Sequence, residues 1–570
     1  METDYPLTAR GIYSMLEDGL STFLSNPFIY FSTTVVDLVM ASFSTMKKSL
    51  FNIWPSLLLV PIISADASFQ PAIPCQDLAR SLHLNNATIY FAELVSSGSN
   101  VTFPDQDETC TTTSVVTTSD ICRLSFSIAT STISSVSLEA WLPLNWTGRF
   151  LATGNGGLNG CIKYQDLAYG TSQGFATIGT NNGHNGTSGE PLYNNPGSIE
   201  DYVYRSIYLE ATVGKQIVNT FYDRPHSKSY YLGCSTGGRQ GFKAAQDFPE
   251  QFDGILAGAP AFSMTSLFYA SAQPYLYTGK PGAPTFLTED EWRLVGEDMI
   301  KQCDKLDGVL DGILEDPELC QYRPESLICA KNQTTGCLTG AQVETVRSVF
   351  SPTYGPDGKF IYPRIQPAKD MPYAYYLSGE PFAYSTDWYR YVVYKDPSWD
   401  PATLSPADWP PLLETDTHNV ATWKGDLSHA RDAGTKILHY HGLEDTVITS
   451  ENSARYYNHV SRTMELTSAE LDEFYRYFRI SGMNHCRGGN GASIIGSSGD
   501  NLDEYKPDSN ALAALVRWVE DGVAPDSLLG KKKEASSSQV VMSRRHCKYP
   551  KRNTYKGFGD VNSADSWQCL

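Results

Sequence analysis

The stretch YYLGCSTGGRQG, Tyr230 to Gly241, holds a serine with a glycine two residues away on either side. Gly233-Cys234-Ser235-Thr236-Gly237 fits the pattern G-x-S-x-G. In that pattern the serine sits on a sharp strand-to-helix turn, and glycines are needed because the following helix passes close to the strand. Five residues are a short match, so the flanking sequence decides the fold. Upstream, Ile207 to Tyr222 has helical apolar spacing and SYYLG reads as a short strand. Downstream, GRQGFKAAQDF reads as a helix and FDGILAGAP as a second strand. Helix, strand, turn, helix, strand is the rhythm of a parallel α/β sheet.

Further out, the rhythm changes twice. From Cys75 to about Glu200, β-rich runs such as ATIYFAEL and SVSLEAWLPL alternate with Ser/Thr/Gly loops. Residues 261–433 are rich in Pro, Tyr and Trp and hold four of the cysteines, which reads as an inserted, loop-heavy lid domain. The sheet resumes with TKILHYHG, Thr435 to Gly442, and FYRYFRISG, Phe474 to Gly482. ALAALVRWVEDG, Ala511 to Gly522, is an amphipathic helix that should pack on it. GKKKEASSSQ, Gly530 to Gln539, reads as an exposed basic loop. The expected organisation is a core in two parts, 68–260 and 434–570, with the lid between them.

A serine hydroxyl needs a histidine to take its proton, and that histidine needs a carboxylate to fix its tautomer and stabilise its cation. In the α/β-hydrolase arrangement the chain order is Ser, acid, His, each just after a sheet strand. HGLEDTVI follows TKILHY and supplies Asp445, preferred to Glu444 because a G-x-x-D-x-x-[VI] turn points the aspartate back toward the strand end. SGMNHCRGG follows FYRYFRI and supplies His485. Of the ten histidines, His439 and His441 stand at i, i+2 on one strand without further ligands nearby, and read as strand and turn residues. His184, His226 and His546 read as structural or surface histidines.

Cys234 precedes Ser235, and Cys486 follows His485. If Ser235 and His485 meet, their neighbours come within the Cα separation a disulfide needs, so Cys234–Cys486 would staple the serine turn to the histidine loop. For an oxyanion, the N–H of Thr236 is one expected donor; the loop Gly154-Asn155-Gly156-Gly157 is expected to provide the other, with Gly156 favoured. In CDKLDGVLDGILEDPELC, Asp304, Asp307 and Asp311 crowd one short loop between Cys303 and Cys320. Hard oxygen ligands of this kind, with the carbonyls of Val309 and Ile313, suit calcium; a solvated acidic turn is the alternative.

Composition narrows the partners. The chain has 570 residues and a net charge of −19, which argues against a nucleic-acid partner. Its twelve cysteines form no CxxC pair, so disulfides in an oxidising compartment are expected. Sequons at Asn86, Asn100, Asn145, Asn185 and Asn332 agree with secretion. MKKSLFNIWPSLLLVPIISADA, Met46 to Ala67, has the parts of a signal peptide: Lys47 and Lys48, an apolar run, and Ala65-Asp66-Ala67. Residues 1–45 are then expected to be a non-native extension from a mis-set start. The apolar run Leu50–Ile63 is too short to span a membrane and holds Pro55 and Pro61, so no membrane association is expected.

Taken together, Cys234-Ser235, Asp445 and His485-Cys486 resemble the tannase/feruloyl esterase family of secreted ester hydrolases, over nearly all of Cys75–Cys569. The resemblance implies an α/β-hydrolase core, an inserted lid, and a triad of Ser235, Asp445 and His485 at their junction. It implies a structural calcium at Asp304, Asp307, Val309, Asp311 and Ile313, and no organic cofactor. By resemblance the other cysteines pair as Cys75–Cys122, Cys110–Cys161, Cys303–Cys320, Cys329–Cys337 and Cys547–Cys569. The expected substrates are phenolic acid esters: feruloyl esters of plant cell-wall sugars first, galloyl esters second, the ring held by tyrosines and tryptophans of 261–433. A hydrolase-fold binding protein without activity is the contrasting reading, and it requires a broken triad.

Overall fold

The computed structural model describes residues 68–570; the expected signal peptide, 46–67, and the segment 1–45 lie outside the described residues. One mixed sheet carries the core. Its strands are β1 (Ala87–Val95), β2 (Ile121–Ala129), β3 (Ser135–Pro143), β4 (Arg149–Thr153), β5 (Ala176–Thr180), β6 (Lys228–Cys234), β7 (Gly254–Gly258), β8 (Lys436–Gly442) and β9 (Tyr475–Ile480). Their order across the sheet is β1-β2-β3-β5-β4-β6-β7-β8-β9. The first three strands and the β3–β5 pair run antiparallel; β5-β4-β6-β7-β8-β9 are parallel throughout. This is the α/β-hydrolase architecture expected from the strand–turn–helix pattern around Ser235.

The parallel strands are covered on both faces, so they read as continuous buried runs rather than alternating ones. Eight helices matter here: α1 (Tyr164–Ser172), α2 (Ser206–Tyr222), α3 (Thr236–Asp247), α4 (Met264–Thr278), α5 (Glu289–Cys303), α6 (Gly340–Val349), α7 (Ser450–Met464) and α8 (Ala511–Asp521). On β6, Tyr231 faces a core shared with α2, α3 and α7, while Tyr230 and Leu232 face a second core shared with α1 and α8. Helix α8 shows the cause at residue level. The Asn510 side chain caps its start by accepting the Ala513 N–H, and Gly522 ends it in the left-handed region at φ 71°. Between these signals Leu512, Leu515 and Trp518 fall on one face and are buried.

Between Gly258 and Lys436 the chain leaves the sheet. This insertion is more helical than its composition suggests. Helices α5 and α6 both start at capping boxes, Thr288 with Glu291 and Thr339 with Gln342. Trp292, Met299, Leu338 and Val346 give it a core of its own. A further cluster, with Leu158, Tyr202, Phe268 and Trp388, joins it to the sheet domain.

The basic stretch after Gly530 differs from its reading as a loop. Ser527–Lys533 is a strand paired antiparallel with Val540–Cys547, and the turn between them is exposed. Lys531 pairs with Asp503 at 2.7 Å, and the Lys532 ammonium donates to the Asn490 carbonyl at 2.6 Å. The positive charges are held by specific partners, which a charge count cannot reveal. All six expected disulfides are formed, and the described residues contain no free cysteine. The five sequon asparagines are all exposed.

Truncating the buried Leu515 tests the reading of α8. Leu515→Ala should lower stability by about 2–5 kcal/mol, seen as a lower urea midpoint at unchanged slope. A shift below about 0.5 kcal/mol would mean the helix face is not part of the core.

Candidate active site

Ser235 lies between the last residue of β6 and the first of α3, at φ 67° and ψ −124°. A non-glycine residue there is strained by about 1–3 kcal/mol and persists only if its surroundings hold it. They do so through the backbone. The Ser235 N–H donates to the Gly258 carbonyl at 2.9 Å, and the Ser235 carbonyl accepts from Arg239 at 3.0 Å and Ala261 at 3.2 Å. A Cβ at Gly238 would overlap the Gly258 carbonyl, so α3 can approach β7 this closely only with glycine there.

Asp445 follows β8 and His485 follows β9, as expected. His485 Nδ1 lies 2.7 Å from Asp445 Oδ2. Asp445 Oδ1 accepts the N–H groups of Val447 and Ile448, both at 2.9 Å. Burial alone would raise this carboxyl, but the charge of His485 and hydrogen bonds from His441 and His485 outweigh it and hold it well below the usual range. Glu444 turns away: its Oε2 accepts from Asn490 at 3.2 Å, and burial pushes its carboxyl up to about 7. The two loops can meet because Gly442, at the end of β8, lacks a side chain; a Cβ would overlap the carbonyls of Met483 and Asn484.

The Cys234–Cys486 disulfide joins the serine turn to the histidine loop, with 6.0 Å between Cα atoms. Cys486 itself has φ 66°, a second non-glycine residue in the left-handed region beside the site. Ser235 and His485 line the same cavity of ≈ 660 Å³. Asp445 stands behind His485, fully buried.

The glycine loop after β4 reaches this cavity too. The Gly154 N–H donates to the Leu232 carbonyl and the Asn155 N–H to Gln240 Oε1, both at 2.9 Å. Those two amides are therefore engaged, whereas Gly156 and Gly157 line the cavity and their N–H groups make no such bonds among the described residues. Thr236 begins α3, where a helix leaves its first N–H groups free. Its hydroxyl donates to the Gly157 carbonyl at 2.8 Å, tying the two donor segments together.

The cavity has two characters. From the insertion come Tyr375, Tyr376, Phe382 and Tyr384, with Met264 and Phe268 of α4. Successive rings in this row touch, at 4.7 Å between Tyr376 and Phe382 and 5.1 Å between Phe382 and Tyr384. Tryptophans of the insertion do not line it; Trp292 and Trp388 are buried in its packing. Other parts of its lining are polar, with Lys163, Gln165, Asp166 and an Arg487–Asp500 ion pair.

The acidic loop lies in the insertion, apart from these residues. Asp304 accepts the Gly312 N–H at 3.0 Å, Asp307 those of Val309 and Glu315, and Asp311 that of Ile313. Asp311 also pairs with Arg544 at 2.9 Å, a positive charge not anticipated for this loop. Burial raises the carboxyls of Asp304 and Asp307, the latter to about 7. Among the described residues no group of three or more His, Cys, Asp or Glu side chains is placed to hold a metal ion.

The remaining histidines divide. His546 is buried and faces the Ala492 carbonyl at 2.9 Å, and His184 faces that of Leu158 at 2.6 Å, as structural residues do. His441 lies on β8, in line with its reading as a strand residue, and makes a contact that reading did not include: its Nε2 lies 3.0 Å from Asp445 Oδ2. No local signal identifies this contact, since the other partner of His441, Ser453, comes from the distant helix α7.

Comparison with known proteins agrees with this geometry. The family model described as tannase and feruloyl esterase matches residues 122–377 and 387–570. Feruloyl esterase C of Talaromyces stipitatus is 50% identical over 501 residues, covering 87% of this chain and 94% of its own. The crystal structure of an esterase from Aspergillus oryzae superposes with a TM-score of 0.86 at 49% identity, over 87% of this chain and 99% of that one. Feruloyl esterase B from Aspergillus oryzae does so at 0.85 and 47%, with the same coverage. By its two-part core, its stapled serine turn and this match over most of its length, the chain belongs to the tannase and feruloyl esterase family.

Proposed function

We propose that this carboxylic ester hydrolase cleaves phenolic acid esters, feruloyl esters of plant cell-wall polysaccharides first, through an acyl-enzyme on Ser235. The observation that carries the reading is the strained Ser235 in one cavity with His485, whose other nitrogen is held by the buried Asp445. His485 takes the Ser235 proton as Oγ attacks the ester carbonyl. The N–H groups of Thr236 and Gly156 receive the oxyanion, with Gly157 as the neighbouring donor. His485 then gives its proton to the departing alcohol. Water, deprotonated by the same nitrogen, releases the acid. The intact Asp445–His485 pair supports an active enzyme over an inactive binding protein.

The phenolic ring belongs against Tyr375, Tyr376, Phe382 and Tyr384, and the alcohol toward the polar residues of the lining. Met264 and Phe268 make the ring end largely apolar, which favours a methoxylated ring over a trihydroxylated one. The relatives' names support feruloyl esters in the same direction. Extracellular action is supported by six disulfides and five exposed sequons. Among the described residues no helix is long and apolar enough to cross a membrane.

A structural calcium in the acidic loop rests on the family resemblance and on the burial of Asp304 and Asp307, whose negative charge a cation would stabilise. Asp304, Asp307 and Asp311 are not gathered as a ligand group here; calcium would have to draw them together with the carbonyls of Val309 and Ile313, and it would then stiffen the loop, away from the ester. Thermal unfolding checks this: added calcium should raise Tm by a few degrees over protein treated with EDTA, and Asp307→Asn should abolish the difference. Equal Tm in both conditions would leave the loop to Arg544 alone.

Release of acid from methyl ferulate and methyl gallate tests the chemistry. Ser235→Ala should lose at least about 10³-fold in kcat, and Asp445→Asn about 10⁴-fold, with ferulate preferred by the parent enzyme. Undiminished hydrolysis in Ser235→Ala would remove the mechanism. Glu444→Gln separates the two neighbouring carboxyls. Activity should stay within about twofold. Because burial raises Glu444 from its ordinary 4.5 to about 7, the stability it contributes is full below 4.5 and is lost as pH rises through about 7. The parent Tm should therefore fall more than that of Glu444→Gln across this window.

A further inference from the structure

Behind the Asp445–His485 pair runs a buried line of hydrogen-bonding side chains that the mechanism above does not use. His441 and His439 stand two residues apart on β8, with their side chains on one face. His441 Nε2 lies 3.0 Å from Asp445 Oδ2 and 2.9 Å from the Ile448 carbonyl. Its Nδ1 lies 2.7 Å from Ser453 Oγ, on α7. The same hydroxyl lies 2.9 Å from His439 Nε2, and His439 Nδ1 lies 3.0 Å from the Tyr475 hydroxyl on β9. His439, His441, Asp445, Ser453 and Tyr475 are all fully buried.

With His441 as the neutral imidazole, the partners dictate where the hydrogens sit. The carboxylate and the Ile448 carbonyl can only accept, so His441 Nε2 carries a hydrogen. In the neutral ring Nδ1 must then accept, and Ser453 donates to it. Ser453 Oγ is left to accept from His439 Nε2–H, and His439 Nδ1 accepts from Tyr475. Every link points the same way, toward Asp445. The carboxylate thus receives four donors: two backbone N–H groups on Oδ1, and His441 and His485 on Oδ2.

We propose that His441 is a positioning residue for the Asp445–His485 pair. It rests on the reading of His485 as the base. His441 fills the second acceptor position of Oδ2, which fixes the plane of the carboxylate and so the ring of His485. It also takes a share of the carboxylate's negative charge, which limits how strongly Asp445 stabilises the imidazolium and keeps His485 ready to give its proton to the leaving alcohol. Ser453 and His439 hold His441 in the tautomer that does this. The titratable groups around the line are Tyr477 from β9, Tyr456 and Tyr457 from α7, and Tyr362 and Tyr376 from the insertion, all with phenols kept protonated by burial, as is that of Tyr475; Arg487 and Asp500, which share the cavity with His485, pair with each other. None of them offers Oδ2 a substitute donor.

The test is the pH profile of kcat/KM for methyl ferulate, with enzyme counted by organophosphate titration of active sites so that misfolded protein drops out. In His441→Phe, Asp445 loses one donor and binds the imidazolium more strongly. The acid limb should move up by about one pH unit, and kcat should fall about 10-fold. In His441→Gln the side-chain amide reaches the place of Nε2 and should restore both. Ser453→Ala, which removes the hydroxyl between His441 and His439 and leaves His441 in place, should shift the limb the same way by less, and it carries the test if His441→Phe does not fold. An acid limb that stays in place in the Phe and Ala variants, with kcat per titrated site near that of the parent, would overturn the proposal and make the chain simple packing. Loss of all hydrolysis in Ser235→Ala combined with such an unmoved limb separates this failure from failure of the mechanism itself.

Discussion

The contact on which the site depends is the disulfide between Cys234 and Cys486. It links the residue before Ser235 to the residue after His485, across 252 positions of sequence. The serine turn belongs to the first part of the core and the histidine loop to the second, with the whole insertion between them in the chain. Noncovalent packing of two loops across such a gap would leave each free to open locally. A covalent bond one residue from Ser235 and one from His485 confines that freedom. Ser235, next to Cys234, and Cys486 itself both have positive φ.

The bond acts together with backbone contacts that admit no side chain. Gly238 lets α3 press on β7, and Gly442 lets the histidine loop lie on the end of β8. Behind them Asp445 is saturated with donors. The site is therefore rigid on its sheet side. On the insertion side it is lined by aromatic rings whose packing, rather than backbone geometry, shapes the space for substrate.

Much of this was legible in the sequence because the relevant signals are local. A glycine-flanked serine between a strand and a helix, an aspartate and a histidine each just past a strand, and a cysteine beside two of the three define the frame. The role of His441 was not legible, since its partner Ser453 comes from α7 and its orientation from a side-chain line that crosses two strands and a helix. The insertion looked loop-rich from its proline and tyrosine content, although capping boxes at Thr288 and Thr339 marked two of its helices. The lysines after Gly530 looked solvated because a charge count says nothing of Asp503 or the Asn490 carbonyl. The aromatic lining was narrowed to tyrosine and phenylalanine only by the packing that buries Trp292 and Trp388 elsewhere.

The most direct measurement replaces Cys234 and Cys486 together by alanine and determines kcat and KM for methyl ferulate alongside a crystal structure of the variant. If the bond sets the register of the site, the separation between Ser235 Oγ and His485 Nε2 should widen or become heterogeneous. Then kcat should fall about 10²-fold, with KM changed far less. Parent-like turnover in a variant with an unchanged Ser235–His485 geometry would contradict this account and place the register in the glycine contacts alone.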